Sequence, residues 1–177
     1  MVESLHNESL AKIYNQFIET VHANVYVVLD HDSDVSPQYI AALSTVTPEQ
    51  CAFPVILNGS KATGPLVNGT TVNKPTSLTY NDTLLAIGSG VIIGSSIANT
   101  IKTAYGNIFD ERFYLYGIDS TFCYRLERLK LITNCKVISG FQHSLSRLES
   151  ESSVLTQFRK KERSYSFGLT LRHYRKL

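Results

Sequence analysis

Asn24-Val25-Tyr26-Val27-Val28-Leu29-Asp30 is an unbroken apolar run rich in β-branched residues, and its last residue opens the acidic stretch Asp30-His31-Asp32-Ser33-Asp34. A strand with no polar alternation is covered on both faces, so this one reads as a buried strand of a mostly parallel sheet. Upstream, residues 8–20 place Leu10, Ile13, Tyr14, Phe17 and Ile18 at helical spacing, with Asn7 in the N-cap position. Downstream, Ser36-Pro37 opens a helix to about residue 43, serine as cap and proline in the first turn. Helix, strand and helix in succession point to an α/β domain.

The rest of the chain continues the pattern. Residues 54–57 read as a second short strand. Residues 58–81 are rich in Gly, Asn, Thr and Pro and read as a long loop, functional in itself or holding a short hairpin. Residues 84–87 and 91–93 are strand-like and separated by Gly88-Ser89-Gly90. Residues 97–105 and 119–131 read as helices, the second with Phe122, Cys123, Leu126 and Leu129 on its apolar face and Asp119 as a cap or a functional acid. Residues 136–139 read as a strand, and 149–177 as a helical tail broken near Gly168. The fold class that follows is a single α/β domain over residues 1–177, a mostly parallel mixed sheet flanked by helices.

Composition sets the partners. The 177 residues suit one domain, and a 43% hydrophobic content supports a core. Net charge is only +2, but Arg159, Lys160, Lys161, Arg163, Arg172, Arg175 and Lys176 face a single acid, Glu162, so residues 159–177 carry +6 and the remainder −4. A basic tail on an acidic body points to an anionic partner, a membrane surface or a phosphorylated ligand; nucleic acid is not among the expected partners. Cys51, Cys123 and Cys135 form no Cys-x-x-Cys pair, which argues for a reducing compartment. The start, MVESLHNESL, lacks the pattern of a signal peptide, and no apolar run approaches the roughly 18 residues a span needs. The Asn-x-Ser/Thr triplets at Asn7, Asn58, Asn68 and Asn81 therefore read as chance matches. The expected location is cytoplasmic, with peripheral contact at the inner membrane through the tail.

The acidic stretch carries the chemistry. Carboxylates at Asp30, Asp32 and Asp34 repel one another, and a divalent cation relieves that repulsion by accepting their hard oxygens. An EF-hand is excluded, because the sixth position is Val35 rather than Gly and the twelfth is Ala41 rather than Glu. Placement at the carboxyl end of a strand is where open α/β sheets gather ligands. Asp30 and Asp32 are the expected ligand-binding pair, and Asp34 the cap of the following helix.

These residues also carry a family resemblance. Asn7-x-Ser9-x-Ala11-x-Ile13-x-Asn15, then the strand, then Leu29-Asp30-His31-Asp32-Ser33, resembles the central part of family 2 glycosyltransferases of the GT-A fold. That family has Asn-x-Gly-x-x-x-Ala-x-Asn-x-Gly before a strand ending in Asp-x-Asp; Ser9, Ile13 and Phe17 stand where it has small residues. Gly88-Ser89-Gly90 resembles the family's Ser-Gly turn, and residues 105–113, Tyr-Gly-Asn-Ile-Phe-Asp-Glu-Arg-Phe, its Gly-x-Phe-Asp-Glu-x-Phe segment. Ile118-Asp119-Ser-Thr-Phe-Cys-Tyr-Arg125 resembles Val-Asp-x-Glu-Phe/Trp-Cys-x-Arg of rhamnosyltransferase-like members, and His143-Ser-Leu a downstream His-Ser-Leu. The order of these motifs runs over roughly residues 7–146.

The resemblance implies an inverting transfer of a sugar from a nucleotide-diphosphate donor to a lipid-linked surface-polysaccharide acceptor, assisted by Mg²⁺ or Mn²⁺. It implies Asp32 and His143 as metal ligands, Asp30 at the ribose or behind the metal, and Asp119 as general base. It places Arg125 beside the acid or the diphosphate, Gly90 where backbone approaches substrate, and Asp110 and Glu111 as holders of the acceptor loop. It also implies a truncated domain, since the family's first strands, which hold the nucleotide base, precede the segment matched here. Thr121 stands where the family has Glu. The competing expectations are a non-catalytic remnant and a metal-dependent carbohydrate-binding protein.

Overall fold

The structure, a computed structural model, describes residues 8–143 and 152–174. Helix α1 (Leu10–Thr20) is capped by the Ser9 hydroxyl, which accepts from the Lys12 N–H; Asn7, the expected cap, lies outside the described residues. It leads into β1 (Val25–Val28), β2 (Ser33–Asp34) and α2 (Pro37–Leu43). The cap of α2 is Ser36, whose hydroxyl accepts from the Tyr39 N–H. Asp34 is therefore not the cap: it is exposed in β2, paired to the last strand of the sheet.

Strand β3 (Cys51–Asn58) is longer than its sequence suggests, because Pro54 lies in its middle. The proline is tolerated where one neighbour ends and another begins along the strand: β9 (Val91–Gly94) pairs with Cys51 and Ala52, and β4 (Lys61–Gly64) with residues 56–58. The expected loop at 58–81 holds hairpins. β5 (Leu66–Val67) and β6 (Thr70–Thr71) are joined by Asn68-Gly69, both at positive φ (52° and 74°), the two-residue turn that matches strand twist. Two more short strands follow, β7 (Thr76–Ser77) and β8 (Leu84–Leu85).

After β9 come α3 (Ser95–Tyr105), α4 (Ile118–Arg128), a 3-10 turn at Ile132–Asn134, β10 (Cys135–His143) and α5 (Ser153–His173). The predicted break at Gly168 does not occur; α5 runs through it. Among the described residues no helix is long and apolar enough to cross a membrane.

The main sheet runs β1-β9-β3-β10-β2, with β4 beside β3 and β7 beside β10. It is mixed, as expected, but not mostly parallel. Among the described residues only β3 and β10 pair parallel, and β1–β9, β9–β3 and β10–β2 are antiparallel. The apolar run at 25–28 misled for a physical reason. β1 sits at the sheet edge, yet both faces are covered: Tyr26 and Val28 enter the core shared with α1, α3 and α4, while Val25 and Val27 pack against the second core under α2. Coverage on two faces removes polar alternation whatever the strand direction. The two cores split β3 and β9 residue by residue, Cys51, Phe53, Val55, Val91 and Ile93 to one side, Ala52, Ile56 and Ile92 to the other. The result is a three-layer α/β/α unit. Cys51, Cys123 and Cys135 are buried free thiols within it.

Candidate metal centre

Three of the expected residues meet. β1 ends just before Asp30, the turn after it returns through a Ser33 N–H to Asp30 carbonyl hydrogen bond, and β2 pairs Ser33 with His143 at the end of β10. His143 Nε2 lies 3.6 Å from Asp30 Oδ2, and Nδ1 lies 3.5 Å from Asp32 Oδ1. One ligand atom from each residue falls within 4.8 Å of the others. Ligands about 2.1 Å from a common octahedral cation sit about 3 Å apart, so a small adjustment would bring two carboxylate oxygens and one imidazole nitrogen onto one ion.

His143 supplies a second observation. Its side chain is only 6% exposed, and its buried Nδ1 makes no hydrogen bond. A buried ring nitrogen without a partner is costly, and its nearest charged neighbour is the Asp32 carboxylate. A cation held by Asp30, Asp32 and His143 would give that atom a partner, so the donor set fits a divalent ion. Burial pushes the Asp30 carboxyl above its usual range; His143 pulls it back, and the Asp32 charge adds to the rise.

The Gly88-Ser89-Gly90 turn ties this cluster to Asp119. Ser89 is fully buried. Its hydroxyl accepts from the Asp30 N–H (3.2 Å) and bonds the Ser33 hydroxyl (2.6 Å). On its other side, a Cβ on Gly88 would stand 3.6 Å from the Asp119 Cβ. Asp119 is in the first turn of α4, whose cap is Gly117, so it is not the helix cap. Burial raises its pKa, against the Ser120 N–H and hydroxyl, which donate to its Oδ1 and pull the other way. Desolvation thus outweighs the helix N-terminus, the condition a carboxylate base requires. Tyr14 of α1 is near both acids: burial first, then the Asp30 and Asp119 charges, push its phenol well above its ordinary value.

Two expected residues do not belong to the site. Arg125 is 2% exposed and engaged by protein. Its Nη1 donates to the Asn107 carbonyl and Oδ1 and to the Ile108 carbonyl, its Nε to the Tyr174 hydroxyl, and its Nη2 pairs with Asp110 at 3.6 Å. The guanidinium is also 4.6 Å from the Tyr105 ring centroid. It has turned into the core, as its place among the buried positions of α4 dictates, and its fork faces protein rather than the acidic cluster. Gly90 is likewise structural. It holds φ +80°, and a Cβ there would meet the Phe141 ring at 2.6 Å and Pro54 at 2.7 Å, so the close approach is to protein rather than to substrate.

Asp110 and Glu111 do hold their segment in shape. Asp110 accepts from Arg112 and Tyr174. Glu111 accepts from Asn15 Nδ2, whose amide also clasps the backbone at Ile108 and Phe109. Sequence reasoning missed Ser89, Tyr14 and Tyr174. Only Ser89 carried a signal, a hydroxyl between two glycines directly before an apolar strand. Ser144 and Leu145 of the His-Ser-Leu motif lie outside the described residues. No protein-family model matches the chain, and no curated protein is significantly similar to it.

Proposed function

We propose that the chain is a metal-dependent glycosyltransferase of the family 2, GT-A type that moves a sugar, with inversion, from a nucleotide-diphosphate donor to a lipid-linked surface-polysaccharide acceptor at the cytoplasmic side of a membrane. The observation that carries the reading is the orphaned Nδ1 of His143 beside Asp30 and Asp32, with a desolvated acid, Asp119, across the Gly88–Gly90 turn. Asp30, Asp32 and His143 would hold Mg²⁺ or Mn²⁺. When bound, such an ion supplies Lewis-acid stabilisation to a diphosphate leaving group.

The chain's own residues do the rest. Asp119 accepts the acceptor hydroxyl's proton on a carboxylate oxygen as the acceptor oxygen forms its bond to the anomeric carbon and the bond to diphosphate breaks. Ser89 fixes the backbone at Asp30, and so the placing of the cluster against Asp119. Tyr14 lies near both acids.

A second reading, a protein that binds the cation and a glycan without transfer, is favoured by one observation. Thr121 occupies the position of the family's Glu and spends its hydroxyl on the Gly117 and Ile118 carbonyls, so α4 offers no second acid there.

The test is titration of the protein with UDP and dTDP, with and without Mn²⁺, beside Asp32→Ala. The reading expects nucleotide binding that needs the metal and disappears in Asp32→Ala. Metal-independent binding, or none by folded protein, would overturn it. Metal-dependent binding with no transfer of sugar to any acceptor would favour the second reading.

A further inference from the structure

Between α5 and residues 112–117 runs a groove of about 220 Å³, a volume on the scale of one sugar ring. Phe113 is buried at its base, and Tyr114, Tyr116 and Tyr165 line it with phenol rings, with Arg112 and Glu162 beside them. Gly117, at φ +86°, closes the loop and caps α4. A Cβ there would come within 2.3 Å of the Ser166 hydroxyl and 2.8 Å of the Phe113 ring, so glycine lets α5 seat this close. On α5, Glu162, Tyr165, Ser166 and Leu169 follow at spacings of three and four, which turns one side of the helix to the loop.

Glu162 is the member that the fold does not use. It is half-buried, yet among the described residues its carboxylate accepts no hydrogen bond and pairs with no cation. A carboxylate partly withdrawn from water gains from any donor brought to it. Tyr165, at 59% exposure, leaves most of its ring open beside it.

The lining selects among ligands. An anion is repelled by Glu162, and Arg112 already gives its Nε and Nη2 to Asp110. A cation meets rings that already face cations. The Arg163 guanidinium is 4.9 Å from the Tyr116 centroid, and the Lys161 ammonium 5.8 Å from that of Tyr165. A wholly apolar group would strip water from the carboxylate and the phenol hydroxyls and give nothing back. A sugar ring suits every part. Its C–H face packs on a phenol ring, while its hydroxyls donate to Glu162 and accept from the tyrosines and Arg112.

We propose that the groove between α5 and residues 112–117 is a subsite for a neutral saccharide. The subsite stands on this lining alone. Its use as the seat of the acceptor glycan rests on the transferase reading, since Gly117 is two residues before Asp119.

An array of neutral and of uronic-acid oligosaccharides, probed with the full chain and followed by titration of the bound members, tests it. Binding of a neutral member is expected without Mn²⁺, and unchanged between about 0.05 M and about 0.5 M salt. Tyr165→Ala and Glu162→Gln should each weaken it about tenfold, with helical circular dichroism and melting unchanged. Phe167→Ala, exposed on α5 outside the groove, should leave it as it is. No neutral saccharide bound by folded protein, binding of acidic ones alone that falls with salt, or binding indifferent to both Tyr165→Ala and Glu162→Gln would overturn the proposal. Saccharide binding without metal-dependent nucleotide binding upholds the subsite and removes the transferase reading; nucleotide binding without saccharide binding does the reverse.

Discussion

Arg125→Ala separates a structural from a ligand-binding arginine. The substitution removes three hydrogen bonds from Nη1, at 2.8–2.9 Å, one from Nε at 3.1 Å, and an ion pair to Asp110 at 3.6 Å. Both side chains of that pair are 2% exposed, so solvent screening discounts little. The Asn107 and Ile108 carbonyls lose their donor, and Asp110 keeps only Arg112 as a charged partner. Removing one member of a buried pair typically costs about 3–5 kcal/mol; the surviving Arg112 contact argues for the lower end, about 3 kcal/mol. For a chain of this size each kcal/mol moves Tm by about 2–4 °C, so scanning calorimetry should show a fall of about 6–12 °C. At a temperature where both proteins are folded, titration with UDP and Mn²⁺ should give affinities within about twofold, since at RT ≈ 0.6 kcal/mol a lost diphosphate contact would cost far more. An Arg125→Ala protein that melts within about 1 °C of the parent but no longer binds the nucleotide would refute the assignment and return Arg125 to the site.

Two further substitutions test the site's frame. The folded pKa of Asp119 is raised, so ionising this acid opposes folding: the cost is absent below the unfolded carboxylate range, near pH 4, and grows as pH rises through the folded value. Asp119→Asn should therefore gain stability relative to the parent between pH 4 and pH 8, read as the difference in Tm, while transfer activity falls; a difference that stays flat across that window would remove the desolvated base. Gly90→Ala places a Cβ 2.6 Å from the Phe141 ring at φ +80°, combining about 1 kcal/mol of left-handed strain with about 1–3 kcal/mol of overpacking; a urea midpoint corresponding to less than about 0.5 kcal/mol of loss would show that the turn yields easily.

What could be read from the sequence was what adjacent residues decide. The helical spacing of Leu10, Ile13, Tyr14, Phe17 and Ile18 marks α1, although Phe17 stays exposed. Asp30 and Asp32 mark a candidate cation site because like charges so close call for a partner. What could not be read depended on residues far apart. Strand direction in β9 and β3 follows from how chain connections pack, and apolar content is blind to it. Arg125 looks like a ligand-binding arginine in a helical motif, yet its partners are at 107–110 and 174, and only folding brings them to its fork. His143 was legible as a residue type, while its placing beside Asp30 and Asp32 depends on β10 pairing with a two-residue strand, β2, that no periodicity announces. Pro54 hid half of β3, since a central strand is the last place a missing N–H is expected.

The Gly88–Gly90 turn explains how such separate segments form one site. Each of its three residues holds a different neighbour. Gly88 leaves room for Asp119. Ser89 gives its hydroxyl to the Asp30 backbone and to Ser33. The Gly90 N–H donates to the Val28 carbonyl, and its own carbonyl accepts from Tyr39, so the turn is bound both to β1 and to α2. A larger side chain at 88 or 90 would push on Asp119 or on Phe141, and a residue without a hydroxyl at 89 would leave the Asp30 N–H without its partner. The placing of the acidic cluster against Asp119 is therefore set by three small consecutive residues, two of them buried, not by the loops that carry the acids themselves. Geometry of that kind suits a reaction in which one carboxylate takes a proton while others steady a charge a fixed distance away.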